Sequence, residues 1–482
     1  MNPADRRRWL ALYTLCAGVL MIVLDATIVN VALPSIAADL GFSPGDLSWV
    51  VNAYLVAFGG LLLLAGRMGD LLGQRRVFLA GLGVFVVASL ACALAVSPWM
   101  LVGARLVQGV GGALTSAVVL GMIISLFPDP AERVRAIGVY GFVASAGGSI
   151  GLLAGGVLTS ALDWRWIFLV NLPVGVVTCI GTLRYVDAAH PAVAGRRADV
   201  VSATLLTLGL MAGVYTIVEL SQRGTGATLT TGGIGAVLLA GFVVRQARSS
   251  APLLPLRLFR SRVVTGANLV QGLLVVGMFG TFFLGALYLQ EIRGYGPLQI
   301  GLAFLPATVV MGVMSLRLAA DVTRRLGEQP TLVLSLLVLT GGLLLMTRLP
   351  VSGSYVVDVA PAMVLTGLGA GLGFPALTGM AMSAATPEDS GVASGLYNTT
   401  VQVGGAIGLA VLSTLATGRT HDLAASGVGR AEALTGGYHL AFLGAAVAAA
   451  LAALLATVVL RPVRQVRVEE PAAVAELVDA CD

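Results

Sequence analysis

The chain contains no lysine; apart from three histidines, all of its basic side chains are arginine, 29 in number. A Walker A loop needs a lysine to reach the phosphates, and Schiff-base chemistry needs an amine nucleophile. Both are excluded. Charge of either sign is scarce, at 11% of the 482 residues against about 25% in soluble domains. So few charges cannot build a water-facing surface, so the surrounding solvent is lipid. Cys16, Cys92, Cys179 and Cys481 lack metal-ligand spacing and read as apolar filler or free thiols. His190, His421 and His439 fall in loops or at a span edge, with no HExxH or triad pattern. The expectation is therefore no metal site, no catalytic residues and no enzymatic activity.

What the chain has in abundance is hydrocarbon: 57% hydrophobic residues and a mean hydropathy of +0.92. Apolar runs recur throughout, each long enough to cross roughly 30 Å of bilayer core. Fourteen spans are expected, at about residues 10–33, 47–65, 77–96, 101–126, 136–161, 167–183, 200–220 and 229–244, then 263–288, 298–320, 331–346, 355–385, 393–416 and 440–460. The two between 200 and 244, rich in Gly and Thr, carry the weakest signal. On this layout 22 arginines share the side of Arg6, Arg7 and Arg8, counting Arg317 at that end of the 298–320 span, six lie opposite, and Arg105 is deep inside a span. The positive-inside rule then places both termini in the cytoplasm and requires an even number of spans. The net charge of +5 follows from that topology and implies no nucleic-acid partner. Residues 6–24 have the charged start of a signal peptide, but the long apolar run leading into more membrane favours an uncleaved first span.

Displacing the chain by 257 residues lays "PAERVRAIGVYGFVASAGGSIGL" (130–152) over "PEDSGVASGLYNTTVQVGGAIGL" (387–409), with Pro130/Pro387, Gly138/Gly395, Tyr140/Tyr397, Gly147/Gly404, Gly148/Gly405, Ile150/Ile407 and Gly151/Gly408 identical. A weaker echo aligns "GRMGDLLGQRR" (66–76) with "ADVTRRLGEQP" (320–330), Gly73 over Gly327. Two parallel halves related by an axis along the membrane normal are a transporter architecture, with substrate bound near the midplane between them. The division expected is a six-helix half at 1–190, two linker transmembrane helices at 191–261, a second six-helix half at 262–462, and a cytoplasmic tail at 463–482.

Asp25 interrupts the apolar stretch "MIVLDATIVNVALP" (21–34), and Arg105 shares a helix face with Gln108, Gly109 and Gly112. An ionised side chain at the centre of a membrane helix costs about 2.5–3.5 kcal/mol even on the lenient insertion scale. Both charges should therefore face a wet cavity or each other. Two roles stay open for Asp25: binding and releasing a proton as its burial changes, or fixing helix 1 as a permanently paired structural residue. Arg105 carries the same two readings. Tyr54, Gln108, Asn268, Gln271, Asn398 and Gln402 are candidate lining residues of a substrate cavity, by polarity and placement within spans.

Six stretches, in order, resemble the major facilitator superfamily, and within it the fourteen-span drug:proton antiporters of EmrB/QacA type. They are "LDATIVNVALP", "GRMGDLLGQRR", "RLVQGVGGA" (105–113), "WRWIFLVNLPVG" (164–175), "PLQIGLAFLP" (297–306) and "GVASGLYNT" (391–399). The resemblance covers about residues 9–460. It implies a proton-coupling pair at Asp25 and Arg105, a cytoplasmic gate at Gly66, Asp70, Gly73, Arg75 and Arg76, and an antiporter helix carrying Gly147, Gly151, Gly155 and Gly156. Asp70 is expected to meet the helix N-terminus near "TPEDSGVAS". Two departures stand out: Leu152 occupies the usual proline of the antiporter motif, and Leu71 and Gln74 replace loop arginines.

The resemblance implies a proton-coupled antiporter exporting lipophilic compounds, cations among them, driven by the proton gradient without a cofactor. Its expected setting is the membrane of a bacterial cell, as a monomer among lipid, with the need for a periplasmic adaptor left open. An importer or facilitator of a nutrient on the same fold is the alternative.

Overall fold

Lipid offers a backbone N–H or C=O no partner, so a chain this apolar satisfies its peptide groups within helices. The computed structural model describes residues 3–43, 46–127, 129–187, 199–219, 225–249, 252–254, 256–383 and 390–460, and among them there is no strand. The first group of helices is α1 (Pro3–Leu40), α2 (Trp49–Leu72), α3 (Gln74–Ala93), α4 (Pro98–Leu126), α5 (Pro130–Ala161), the short α6 (Trp166–Leu169) and α7 (Asn171–Tyr185). A hairpin follows, α8 (Val200–Glu219) and α9 (Thr225–Arg248). The second group is α10 (Arg262–Glu291), α11 (Pro297–Val313), α12 (Ala319–Leu326), α13 (Glu328–Met346), α14 (Ala360–Ser383), α15 (Ser390–Ala425) and α16 (Arg430–Val459). A π-helical turn, Met314–Leu318, joins α11 to α12.

Among the described residues, twelve helices are long and apolar enough to cross a membrane. The fifth and tenth expected spans have shorter apolar helical stretches, Ile150–Ala161 and Pro297–Val313. The weakly signalled pair at 200–244 forms two such helices, Val200–Val218 and Leu229–Arg248. The expected division at 190/191 and the tail from 463 fall outside the described residues.

Local chemistry sets the helix ends. Ser97 caps α4 by accepting from the Met100 N–H at 3.4 Å, with Pro98 at a position where no N–H is needed. Ser261 caps α10 in the same way. Gln299 Oε1 accepts from the Gly296 N–H at 2.9 Å, ahead of Pro297, at the start of α11. Gly73 ends α2 at φ 93° and Gly327 ends α12 at φ 90°. Both are conformations that side chains other than glycine's resist, so the loop echo in the sequence is an echo in the backbone.

The two groups pack alike. α4 packs on α2 and α3 while α5 lies along α1; α14 packs on α11 and α13 while α15 lies along α10. A methyl on Gly151 would collide with the Thr27 side chain of α1, and one on Gly408 would stand 2.5 Å from Val276 of α10. The groups meet chiefly through α2 with α15 and through α5 with α11, with smaller contacts of α1 on α10 and α11. α11 begins, and α5 ends, on the face opposite the arginine-rich one, and there a methyl on Gly156 would lie 2.9 Å from the Pro297 carbonyl oxygen. On the arginine-rich face, among the described residues, α3, α4 and α5 do not pack closely on α12, α13 or α14. α8 lies across the seam, against both α2 and α15.

Candidate functional site

The most polar point of the interior is built on four helices of the first group. α1 supplies Asp25, α3 supplies Ser89, α4 supplies Arg105 and Gln108, and α7 supplies Asn171. Asp25, Ser89, Arg105 and Gln108 are wholly buried, and Asn171 is 2% exposed. Arg105 Nη1 donates to Asp25 Oδ2 at 2.5 Å and to Gln108 Oε1 at 2.7 Å. Gln108 Nε2 donates to Asp25 Oδ1 at 2.7 Å, and Asn171 Nδ2 to the same oxygen at 2.9 Å. Gln108 and Asn171 also both donate to Ser89 Oγ, at 2.8 and 3.2 Å.

Three donors on one carboxylate are what a buried anion requires, because it accepts hydrogen bonds and donates none. Arg105 is held in turn by its Nε donating to the Val50 carbonyl at 2.9 Å, and its guanidinium carbon lies 4.3 Å from the Tyr54 ring centroid. The small residues beside it explain the approach. A methyl on Gly109 would stand 2.5 Å from the Tyr54 carbonyl oxygen, so glycine lets α4 press against α2. One guanidinium nitrogen, Nη2, and the Tyr54 hydroxyl have no hydrogen-bond partner. The cluster is therefore a closed ion pair with one donor of the cation left over.

Asp25 and Arg105, expected from the sequence to face a wet cavity or each other, are in contact. Gln108 and Tyr54, expected on a cavity wall, belong to this enclosed cluster instead, because the amide oxygen and nitrogen of Gln108 are both taken up by the ion pair and Ser89. Sequence reasoning gave no role to Ser89 or Asn171. Asn171 sits inside the quoted "WRWIFLVNLPVG", and its polarity at the head of a membrane helix was the available signal. Cys92, taken as filler, has its sulfur 3.6 Å from Gln108 Oε1.

The remaining cavity candidates lie elsewhere. Gln271 is fully buried and accepts from the Tyr397 hydroxyl at 3.0 Å, with its Nε2 unpartnered. Asn268 is 7% exposed and accepts from Thr400 Oγ1 at 2.8 Å. Gln402 packs against Gly59 of α2, where a methyl would meet its Cβ at 2.8 Å, and Asn398 is exposed.

In the loop motif, Arg75 Nη2 donates to the Leu183 carbonyl at 2.9 Å, a cation on the C-terminal end of α7. Arg76 is exposed and Gly66 has open space where a side chain would go. The Gln74 amide lies over Gly121 of α4, its nitrogen 2.6 Å from where a methyl would stand. The Asp70 side chain and its expected partner at 384–389 lie outside the described residues. Among the antiporter-helix glycines, Gly147, Gly151 and Gly155 face α1, a methyl on Gly155 falling 2.7 Å from the Ile28 carbonyl, while Gly156 faces α11. α5 runs unbroken through Leu152, whose carbonyl approaches Gly301 of α11.

Residues 15–409 match the profile of the Major Facilitator Superfamily. The chain belongs to the major facilitator superfamily. Its similar relatives include a puromycin resistance protein of Streptomyces alboniger, 39% identical over 95% of this chain and 91% of the relative. A cephamycin export protein of Amycolatopsis lactamdurans is 37% identical over 94% of this chain and 92% of the relative. Among solved structures, the inward-facing, occupied form of a bacterial homolog to the human lysosomal transporter Spinster aligns with a TM-score of 0.68, covering 96% of this chain and 98% of the other. At 14% identity that likeness concerns the fold, and it is the facilitator fold of two packed helix groups.

Proposed function

We propose that this facilitator is a proton-driven antiporter that exports lipophilic small molecules, cationic ones among them, from the bacterial cytoplasm by alternating access. The names of the relatives, resistance to or export of antibiotics, supply the direction and the class of cargo. The arginine distribution puts the termini, and the face where α3, α4 and α5 do not pack closely on α12, α13 or α14 among the described residues, in the cytoplasm.

The observation that carries the proton coupling is the enclosed Asp25–Arg105 pair. Removing one partner of a buried ion pair costs about 3–5 kcal/mol, because the other charge stays buried and unpaired. Protonating Asp25 does electrostatically what such a deletion does. It leaves Arg105 with a neutral neighbour, unless the conformation changes so that water or another acceptor reaches the guanidinium. Converting a two-state equilibrium from 1:99 to 99:1 takes about 5.5 kcal/mol. The pair therefore stores an energy of the size that a conformational switch needs. A proton arriving from outside would open the cluster, and its release to the cytoplasm would re-form the pair in the state described here.

The test is transport in inverted vesicles with an acid lumen. Wild type should accumulate ethidium while protons leave the lumen, and Asp25→Asn, inserted to the same level, should lose that coupled accumulation. Retained acid-driven accumulation in Asp25→Asn contradicts the proton site. Dye loss from preloaded vesicles under the same gradient, in place of uptake, would favour an importer.

A further inference from the structure

A cavity of about 540 Å³ lies away from the charged cluster, between the α8–α9 hairpin and the second helix group. Small-molecule sites span about 300–1,000 Å³. Leu206 and Leu210 of α8 and Phe242 of α9 form one wall, and α10, α15 and α16 form the others. Leu269, Ile407 and Val411, which line it, are 54%, 38% and 38% exposed, so the cavity opens sideways, where the bilayer lies. Its lining on α15 runs from Thr399 to Leu415, about 24 Å at 1.5 Å per residue.

The polar groups are gathered at one end. Asn268 and Thr400 hydrogen-bond each other there, and the Thr399 hydroxyl, in a residue only 8% exposed, has no partner among the described residues. A helical threonine ordinarily bonds to a carbonyl one turn back, as Thr281 and Thr435 do. The Thr399 hydroxyl is free for a ligand. This end also touches the other helix group, since Leu63 of α2 lines the cavity. Gln271, with its unpartnered amide nitrogen, lies one helical turn beyond Asn268.

We infer that this groove is a lateral binding site that takes a lipophilic substrate directly from the membrane and presents it to the seam between the halves. The identity of the occupant rests on the export reading. The depth of the polar end argues for a drug-like molecule over a phospholipid. Asn268 stands six residues along α10 from Arg262, about 9 Å into the hydrocarbon, in a leaflet about 15 Å thick. A phospholipid's esters stay at the level of the headgroups, whereas an apolar compound bearing an amide, hydroxyl or amine places its polar atom at such a depth.

The inference also gives the hairpin a task. It is fixed at its base by Arg245 with Asp199 at 2.9 Å, by Gln246 donating to Ser202 at 2.7 Å, and by the Leu254 N–H donating to Gln246 at 3.0 Å. Held so, it supplies a wall that the six-plus-six arrangement alone would leave to lipid.

The test is Hoechst 33342 binding, by fluorescence titration, to the purified full-length protein in nanodiscs. Val411→Trp and Ile407→Trp fill the groove from its open side, Thr399→Val removes the hydroxyl at equal volume, and Leu337→Trp, on the exposed face of α13, is the control. The expected result is a Kd raised about tenfold or more by either filling variant, raised about threefold by Thr399→Val, and unchanged in the control. Binding unchanged in both filling variants, or absent in the wild type, overturns the groove. So does a phospholipid that co-purifies with wild type and is lost from Val411→Trp while dye binding persists. Wild-type transport in vesicles judges the export reading separately, because nanodisc binding requires no turnover.

Discussion

At the scale of residues, the carboxylate of Asp25 is met by three donors, from Arg105, Gln108 and Asn171, and none of those donors reaches water. Asp25→Asn is expected to lower unfolding stability in detergent by about 3–5 kcal/mol, since Arg105 remains buried without its anion. Asp25→Asn combined with Arg105→Gln should recover much of that loss, and strictly additive losses in the double variant would contradict the pairing. Ser89→Ala tests the second layer. It removes the acceptor shared by Gln108 and Asn171 and should cost about 1–3 kcal/mol in the same unfolding measurement. Asp25 and Arg105 were legible in the sequence because a charge amid apolar residues demands an explanation. Ser89 and Asn171 were not, because a serine or an asparagine in a membrane helix satisfies itself in many ways. Only the crossing of α3 and α7 shows that Asn171 reaches the Asp25 carboxylate and that Ser89 accepts from the two amides which hold it.

At the scale of elements, the closure of the far face depends on the glycines between α5 and α11. A methyl on Gly156 would lie 2.9 Å from the Pro297 carbonyl oxygen, and one on Gly301 2.8 Å from that of Leu152. Backbone oxygens do not yield as the tip of a side chain does, so Gly156→Leu or Gly301→Val should part the two helices. In a background without the four native cysteines, a cysteine at Leu298 should then label several-fold faster with an impermeant maleimide added from the far face. Labelling and transport that both match the parent would contradict a gate at this contact. The glycine register of α5 and α15 was readable as a repeat, and the structure gives its cause: both helices lie against the first helix of their own group. The partner of Gly156 was not readable, since nothing local to 130–161 distinguishes the glycine facing α11 from those facing α1.

At the scale of the whole molecule, the ion pair lies within the first helix group, while α2–α15 and α5–α11, with smaller contacts of α1 on α10 and α11, join that group to the second. On the proposed coupling, a rocking motion would move the seam without separating the helices that carry the ion pair, and protonation of Asp25 would act through the packing of α1 on its neighbours. α1 contributes Asp25 and is also the helix on which α5, the partner of α11, is seated. This gives a short mechanical path from carboxylate to far-face gate: Asp25, then the Thr27 and Ile28 turn, then Gly151 and Gly155, then Gly156 against Pro297. Composition and arginine placement already implied the membrane and the helices, and the repeat of 130–152 at 387–409 implied two related halves. The sequence could not show a lateral groove, because its walls come from α8, α10 and α15, far apart along the chain.

The most direct measurement follows dye and proton movement together in inverted vesicles carrying wild type or Asp25→Asn at equal insertion. The account predicts that in wild type each pulse of ethidium added outside an acid-lumen vesicle releases protons from the lumen. In Asp25→Asn the dye should equilibrate down its own gradient with no proton movement. Proton release by Asp25→Asn equal to that of wild type would contradict the account.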